Sequence, residues 1–315
     1  MSTVRKRLYR TGIALLVAAT IAVLLAYQPP LERSDLQRYI TPTSDFVEVD
    51  GASVHYRREG REDAPILLLL HGTASSLHTW DGWVDALSDD YRIVRIDLPG
   101  FGLTGARRDR DYSTRRYVEF VDQFADKKAL RNFVLVGNSL GGNIAWQYAL
   151  SHPDRVTALV LIDPSGFVDN SKAPPLAFRL ANTPLIHHVV PWFAPRSLFE
   201  SSIYDVYGDD SKVTESLIER YYQLSLYGGN RQAFVDKARQ RSEAPIARLS
   251  EITAPTLILW GEKDTWIPVT DAARFANAIP NSQVITYPGV GHVPMEEIPS
   301  LTAGDTEQFL QQVLR

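Results

Sequence analysis

The chain has 315 residues, 44% hydrophobic and 22% charged, which is the composition of a globular protein long enough for one large α/β domain with an insertion or for two smaller domains. Its 33 Lys and Arg stand against 37 Asp and Glu, a formal charge of −4, so no global basic field exists to gather nucleic acid. With no cysteine, disulfides, thiolate zinc sites, iron–sulfur clusters and a lipidated cysteine are excluded.

At the N-terminus, Arg5, Lys6, Arg7 and Arg10 precede an uncharged stretch from residue 11 to 31. Its apolar part, from Ile13 to Tyr27, would span about 22 Å as a helix. Basic residues on one side and Pro29-Pro30 on the other predict an uncleaved signal anchor over residues 1–30, a single transmembrane helix of the inner membrane. The positive flank then stays cytoplasmic and the rest of the chain lies on the outer, periplasmic side. Cleavage of the segment, with secretion of the remainder, is the alternative.

Residues 31–44 read as a polar tether. Apolar residues then alternate over 46–49 and 54–57, a hairpin pattern around Asp50-Gly51. Short apolar runs at 66–70, 92–96, 133–136, 156–162 and 256–260 are of the buried, parallel-strand kind, and 284–287 reads as a further strand. Helical spacing over 77–87, 114–128 and 144–150 follows three of them. This alternation predicts an α/β fold, a mostly parallel sheet with helices on both faces. It lapses between residues 165 and 249, where prolines and helical patterns at 176–180, 213–226 and 231–241 predict a helical cap. The core is then split into residues 45–164 and 250–315. Leu176, Phe178, Leu180, Leu185, Ile186, Trp192 and Phe193 of the cap are candidates to line a pocket or to pack the cap onto the core.

Ligands of an open parallel sheet bind beyond the carboxyl ends of its strands. There the sequence places His71-Gly72-Thr73-Ala74, Gly137-Asn138-Ser139-Leu140-Gly141, Gly261-Glu262-Lys263-Asp264 and Gly289-Val290-Gly291-His292. A serine hydroxyl becomes a strong nucleophile when an imidazole takes its proton and a buried carboxylate orients the ring. In Gly-x-Ser-x-Gly the glycines allow a sharp strand-to-helix turn that leaves the hydroxyl exposed. Backbone N–H groups of Thr73 and Leu140 are candidates for the two donors that an oxyanion requires. Asp163, which ends the run 156–162, competes with Asp264 for the carboxylate role. His55, His71, His78 and His152 are rivals of His292 with structural readings, and His187-His188 reads as a surface pair.

Gly100-Phe101-Gly102-Leu103-Thr104-Gly105 spells a dinucleotide fingerprint, but residues 106–111 are charged and loop-like where that motif requires a helix. Neither a phosphate-binding Gly-x-x-x-x-Gly-Lys-Ser/Thr loop nor a zinc-binding His-Glu-x-x-His helix is present. The expectation is a site without metal or organic cofactor.

Five stretches, "LLLLHGTASS", "RIDLPGFGLTG", "VGNSLGG", "LILWGEKDTWIP" and "PGVGHVPMEE", occur in an order that resembles the α/β-hydrolase fold family over roughly residues 45 to 315. Within it the chain is most similar to bacterial lipases and monoacylglycerol-lipase-like carboxylesterases. The resemblance implies Ser139 as nucleophile, Asp264 as acid and His292 as base. Together with the N-terminal anchor read above, it implies a membrane-anchored serine hydrolase of carboxylic esters, lipidic ones included. The same core resembles hydrolases that cleave C–C bonds in ring-cleavage dienoates, while a non-catalytic binding protein would need none of the three residues. Haloalkane dehalogenases and epoxide hydrolases carry an aspartate at the elbow, so Ser139 argues against both.

Overall fold

Apolar central runs and more polar outer strands build one sheet of eight strands: β1 (Ser44–Val49), β2 (Ala52–Gly60), β3 (Ile66–Leu70), β4 (Arg92–Ile96), β5 (Phe133–Asn138), β6 (Val156–Ile162), β7 (Thr256–Gly261) and β8 (Ser282–Tyr287). The computed structural model describes Ile13, Val17, Thr20 and residues 27–167, 173–193, 195–240 and 244–314. Strand order is β1-β2-β4-β3-β5-β6-β7-β8. The hairpin β1–β2 turns through Asp50 and Gly51, both at positive φ, and β2 joins β4 antiparallel. From β4 through β8 every pairing is parallel.

Side chains alternate between the two faces of the central strands. Leu68, Leu70 and Leu135 point into one core, with Phe120 and Phe124 of α2 (Thr114–Lys127) and Ile144 and Tyr148 of α3 (Leu140–Ser151). On the other face Leu67, Leu69, Val134 and Val136 pack with Trp83 of α1 (Asp81–Leu87) and the C-terminal helix. Between β6 and β7 lies the cap, made of α4 (Leu176–Asn182), α5 (Val190–Phe193), α6 (Arg196–Val206), α7 (Glu215–Ser225) and α8 (Asn230–Arg239). The chain closes with α9 (Thr270–Ala278), α10 (Pro294–Glu297) and α11 (Pro299–Val313).

Two expectations for the N-terminal region change. The single inner-membrane span is not supported: no helix among the described residues is long and apolar enough to cross a membrane. Apart from Ile13, Val17, Thr20 and Tyr27, the apolar run lies outside the described residues. As a helix, a run of that many residues would reach about 22 Å, short of a hydrocarbon core of about 30 Å. The periplasmic placement, which rested on that span, goes with it. Within residues 31–44, Arg33–Tyr39 is a 3-10 helix and not a free tether. Leu36 and Tyr39, three residues apart on one side of that helix, are buried with Leu103 and Leu224, which offsets the cost of ordering an otherwise polar segment.

Candidate active site

The turn from β5 into α3 places Ser139 at φ 52°, ψ −112°, a conformation strained for a residue with a side chain. It persists because the surroundings over-determine it. The Ser139 N–H donates to Ile162 O at 3.0 Å, and Gly137 lies so close to the backbone of Gly141 that a Cβ would overlap it. Ser139 and His292 line one cavity with Thr73, Asn138 and Trp266, and Leu140 joins Ser139 and Thr73 in an adjoining cleft. Neither the Thr73 nor the Leu140 N–H donates to another described residue, so both are available to an oxygen in that space.

The loop after β8 carries His292, which is buried. Its Nδ1 donates to Asp264 Oδ2 at 2.6 Å, and Asp264 Oδ1 accepts from the N–H groups of Trp266 (2.8 Å) and Ile267 (2.9 Å). Two backbone N–H groups therefore hold one carboxylate against one imidazole. Further residues, to which the motifs assign no role, secure the loop. Asn138 Nδ2 donates to the carbonyl of His292 at 3.0 Å, and Glu297 Oε2 accepts from the N–H of Gly291 at 2.8 Å. The His292 N–H itself donates to Val206 O of the cap at 2.7 Å.

The family model described as alpha/beta hydrolase fold matches residues 65–299. The chain belongs to the alpha/beta hydrolase family. It is 30% identical to a dihydrolipoyllysine-residue acetyltransferase component of an acetoin-cleaving system from Cupriavidus necator, over 94% of this chain and 80% of that protein. It is also 30% identical to a 2-hydroxy-6-oxononadienedioate/2-hydroxy-6-oxononatrienedioate hydrolase of Burkholderia vietnamiensis, covering 79% of this chain and 89% of that one. Among solved structures, a membrane phospholipase A described as a bacterial virulence factor is 28% identical with a TM-score of 0.77, over 98% of this chain and 99% of that chain.

In this hydrolase the rival histidines are engaged elsewhere. Asp97, at the end of β4, accepts from His55 Nδ1 (2.7 Å) and from the N–H groups of Leu77 (2.7 Å) and Leu103 (2.8 Å). His71 accepts from the N–H of Leu98 at Nε2 and donates from Nδ1 to Gly72 O, and burial lowers its pKa. Burial also pushes His78 down to about 3. All three brace the loops around the site. The fingerprint-like glycines belong to the same brace: Gly102 has φ 51°, and a Cβ there would overlap the Asp97 carboxylate.

Asp163 is buried beside the His292–Asp264 pair at φ 43°, and one ligand atom of each of the three lies within 4.8 Å of the others. Such a cluster can suggest a metal, but Asp264 already accepts three hydrogen bonds, and an ion would have to break the bond to His292. Asp163 Oδ1 accepts from the N–H of Gly261 at 3.0 Å, while Oδ2 accepts none. Burial, and then the neighbouring Asp264 carboxylate, push the Asp163 pKa well above the usual carboxylate range, which favours its neutral form over the carboxylate. The folded protein thus keeps a proton that the unfolded chain releases above a pH of about 4. Stability from this group is full below that pH and is lost as pH rises toward the raised value. Asp163→Asn does not titrate, so its Tm relative to wild type should climb between acid and mildly alkaline pH. A difference that stays flat across that range would mean an ionised Asp163.

Of the seven apolar cap residues singled out in the sequence, only Phe178 lines the enclosed apolar cavity beside Thr73. Leu176, Leu185, Ile186 and Trp192 are exposed, Leu185 by 79%. The cavity is lined instead by Ala177, Leu198, Phe199 and Phe234, with Trp266 from the core.

Proposed function

We propose that this hydrolase cleaves carboxylic esters through an acyl-enzyme formed on Ser139. The observation that carries the reading is the strained elbow of Ser139 in one cavity with His292, whose ring is bonded to the triply held Asp264. Ser139 Oγ attacks the ester carbonyl as His292 Nε2 takes its proton. Negative charge developing on the carbonyl oxygen is met by the N–H groups of Thr73 and Leu140, fixed donors that need no reorganisation. The imidazolium, supported by Asp264, returns the proton to the departing alcohol, and water repeats the cycle to release the acid. The apolar cavity gives an acyl chain a place out of water.

A second reading, hydrolysis of a C–C bond in a ring-cleavage dienoate, is favoured by the relative from Burkholderia vietnamiensis that is 30% identical. A panel of p-nitrophenyl esters from acetate to palmitate, beside one such dienoate, separates the two. The expected result is a kcat/KM at least about tenfold higher on the best ester than on the dienoate. The opposite order would assign the C–C reaction.

A further inference from the structure

The cavities that flank Ser139 hold positive charge that the described residues leave unanswered. Lys237, on α8, lines the cleft that contains Ser139 and Leu140, and among the described residues its ammonium has no hydrogen bond or ion pair. Arg231, on the same helix, lines the apolar cavity; it donates to Gln28 O at 2.6 Å, and its buried Nη1 has no partner among the described residues. Asp271 is the acid among the described lining residues, and it pairs with Arg274 at 2.9 Å. Asp236, next to Lys237 in sequence, pairs with Arg110 at 2.6 Å. Charged neighbours are therefore already matched. The chain as a whole is net negative, so the cationic chamber is a local arrangement.

Lys237 is half-buried and Arg231 Nη1 fully so; taking an unpaired charge even partly out of water is costly, and a bound anion offsets that cost. Burial pushes Lys237 down to about 8, with no carboxylate among the described residues to counter it, so the ammonium is charged at neutral pH and lost just above it. The two cavities share Thr73, Phe178 and Trp266, and thus meet beside Ser139. The enclosed one, walled by Leu198, Phe199 and Phe234, suits a hydrocarbon chain. The cleft with Lys237 is left for the other half of the ester.

We propose that the substrate is a fatty-acyl ester of an alcohol bearing an anionic oxygen group, phosphate or carboxylate, which Lys237 holds on the leaving-group side of Ser139. The proposal rests on the ester-hydrolase reading. An ammonium is a compact charge with three donors, enough to grip one or two oxygens of such a group. Hydrolysis then releases a fatty acid into the apolar cavity and the anionic alcohol into the cleft.

The test uses three esters with one acyl chain: 1-decanoylglycerol, its 3-phosphate, and the decanoyl ester of glycolate. Wild type should prefer an anionic ester over the neutral one by about tenfold in kcat/KM at neutral pH. Lys237→Met should collapse that ratio, mainly through KM, and Lys237→Arg should keep it. In wild type the preference should fade as pH rises through about 8, where the ammonium loses its charge. Preference for the phosphate identifies that group as the anion, and preference for the glycolate ester identifies a carboxylate. Equal loss on all three esters in Lys237→Met, or a wild-type preference for the neutral ester, would overturn the assignment. Full turnover by Ser139→Ala would instead sink the ester mechanism itself, whatever Lys237 does.

Discussion

Ser139→Ala is expected to keep the fold and to lower ester turnover by roughly three to six orders of magnitude. The size of the effect follows from cooperation within the site. Without the hydroxyl, His292 has no proton to accept and Asp264 no imidazolium to support, so only oxyanion stabilisation and binding remain. Stability should not suffer, because the elbow is held by the backbone bond to Ile162 and by the close approach of Gly137 to Gly141, not by the Ser139 side chain. Ester hydrolysis above about a tenth of wild type would end the acyl-enzyme mechanism. A fluorophosphonate probe offers an independent readout: it should label wild type and leave the alanine variant unmarked.

Asp264→Asn should cost about 10⁴ in turnover, since an amide can present its N–H to His292 and trap the ring in the wrong tautomer. Asp163→Asn should cost far less near neutral pH. A neutral acid and an amide offer similar hydrogen-bonding groups, and the new amide oxygen can still accept from the N–H of Gly261. Both variants should be assayed on the same ester after circular dichroism has shown them folded. Should Asp163→Asn abolish turnover while Asp264→Asn spares it, the acid of the site is Asp163.

Those two aspartates also mark where sequence reasoning loses resolution. Strands β3, β4 and β6 are legible residue by residue, because a parallel strand buried on both faces is a largely apolar run. Residues within a few positions of the end of β5, β6 or β7 are legible too, which brings Ser139, Asp163 and Asp264 forward together. Choosing between the acids needs the pairing of β6 with β7, which sets their ends side by side, and the loop that turns one carboxylate onto His292. Asn138 and Glu297 act through backbone groups distant in sequence, and periodicity carries no signal for such bonds. The cap is hardest to read. Its helices are short and pack on partners that the sequence does not name, so an apolar residue such as Leu185 looks like a pocket wall and is in fact exposed. Helix α6 follows Pro195 with little apolar regularity, yet Phe199 and Ser202 on it line the apolar cavity.

One end of the cap is fastened directly to the loops that carry His292 and Asp264. Val206 O receives the His292 N–H, the Gly208 N–H donates to Glu297 at 3.0 Å, Lys212 Nζ reaches the Glu297 carbonyl at 3.0 Å, and Thr265 Oγ1 donates to Asp205 O at 2.7 Å. Any rigid lifting of that end would pull the imidazole away from its carboxylate. Helices α4 and α5, which carry the exposed Leu176 and Trp192, take no part in these four bonds. The spacing of His292 and Asp264 is thus held in part from outside the sheet, by the backbone of cap residues 205–208.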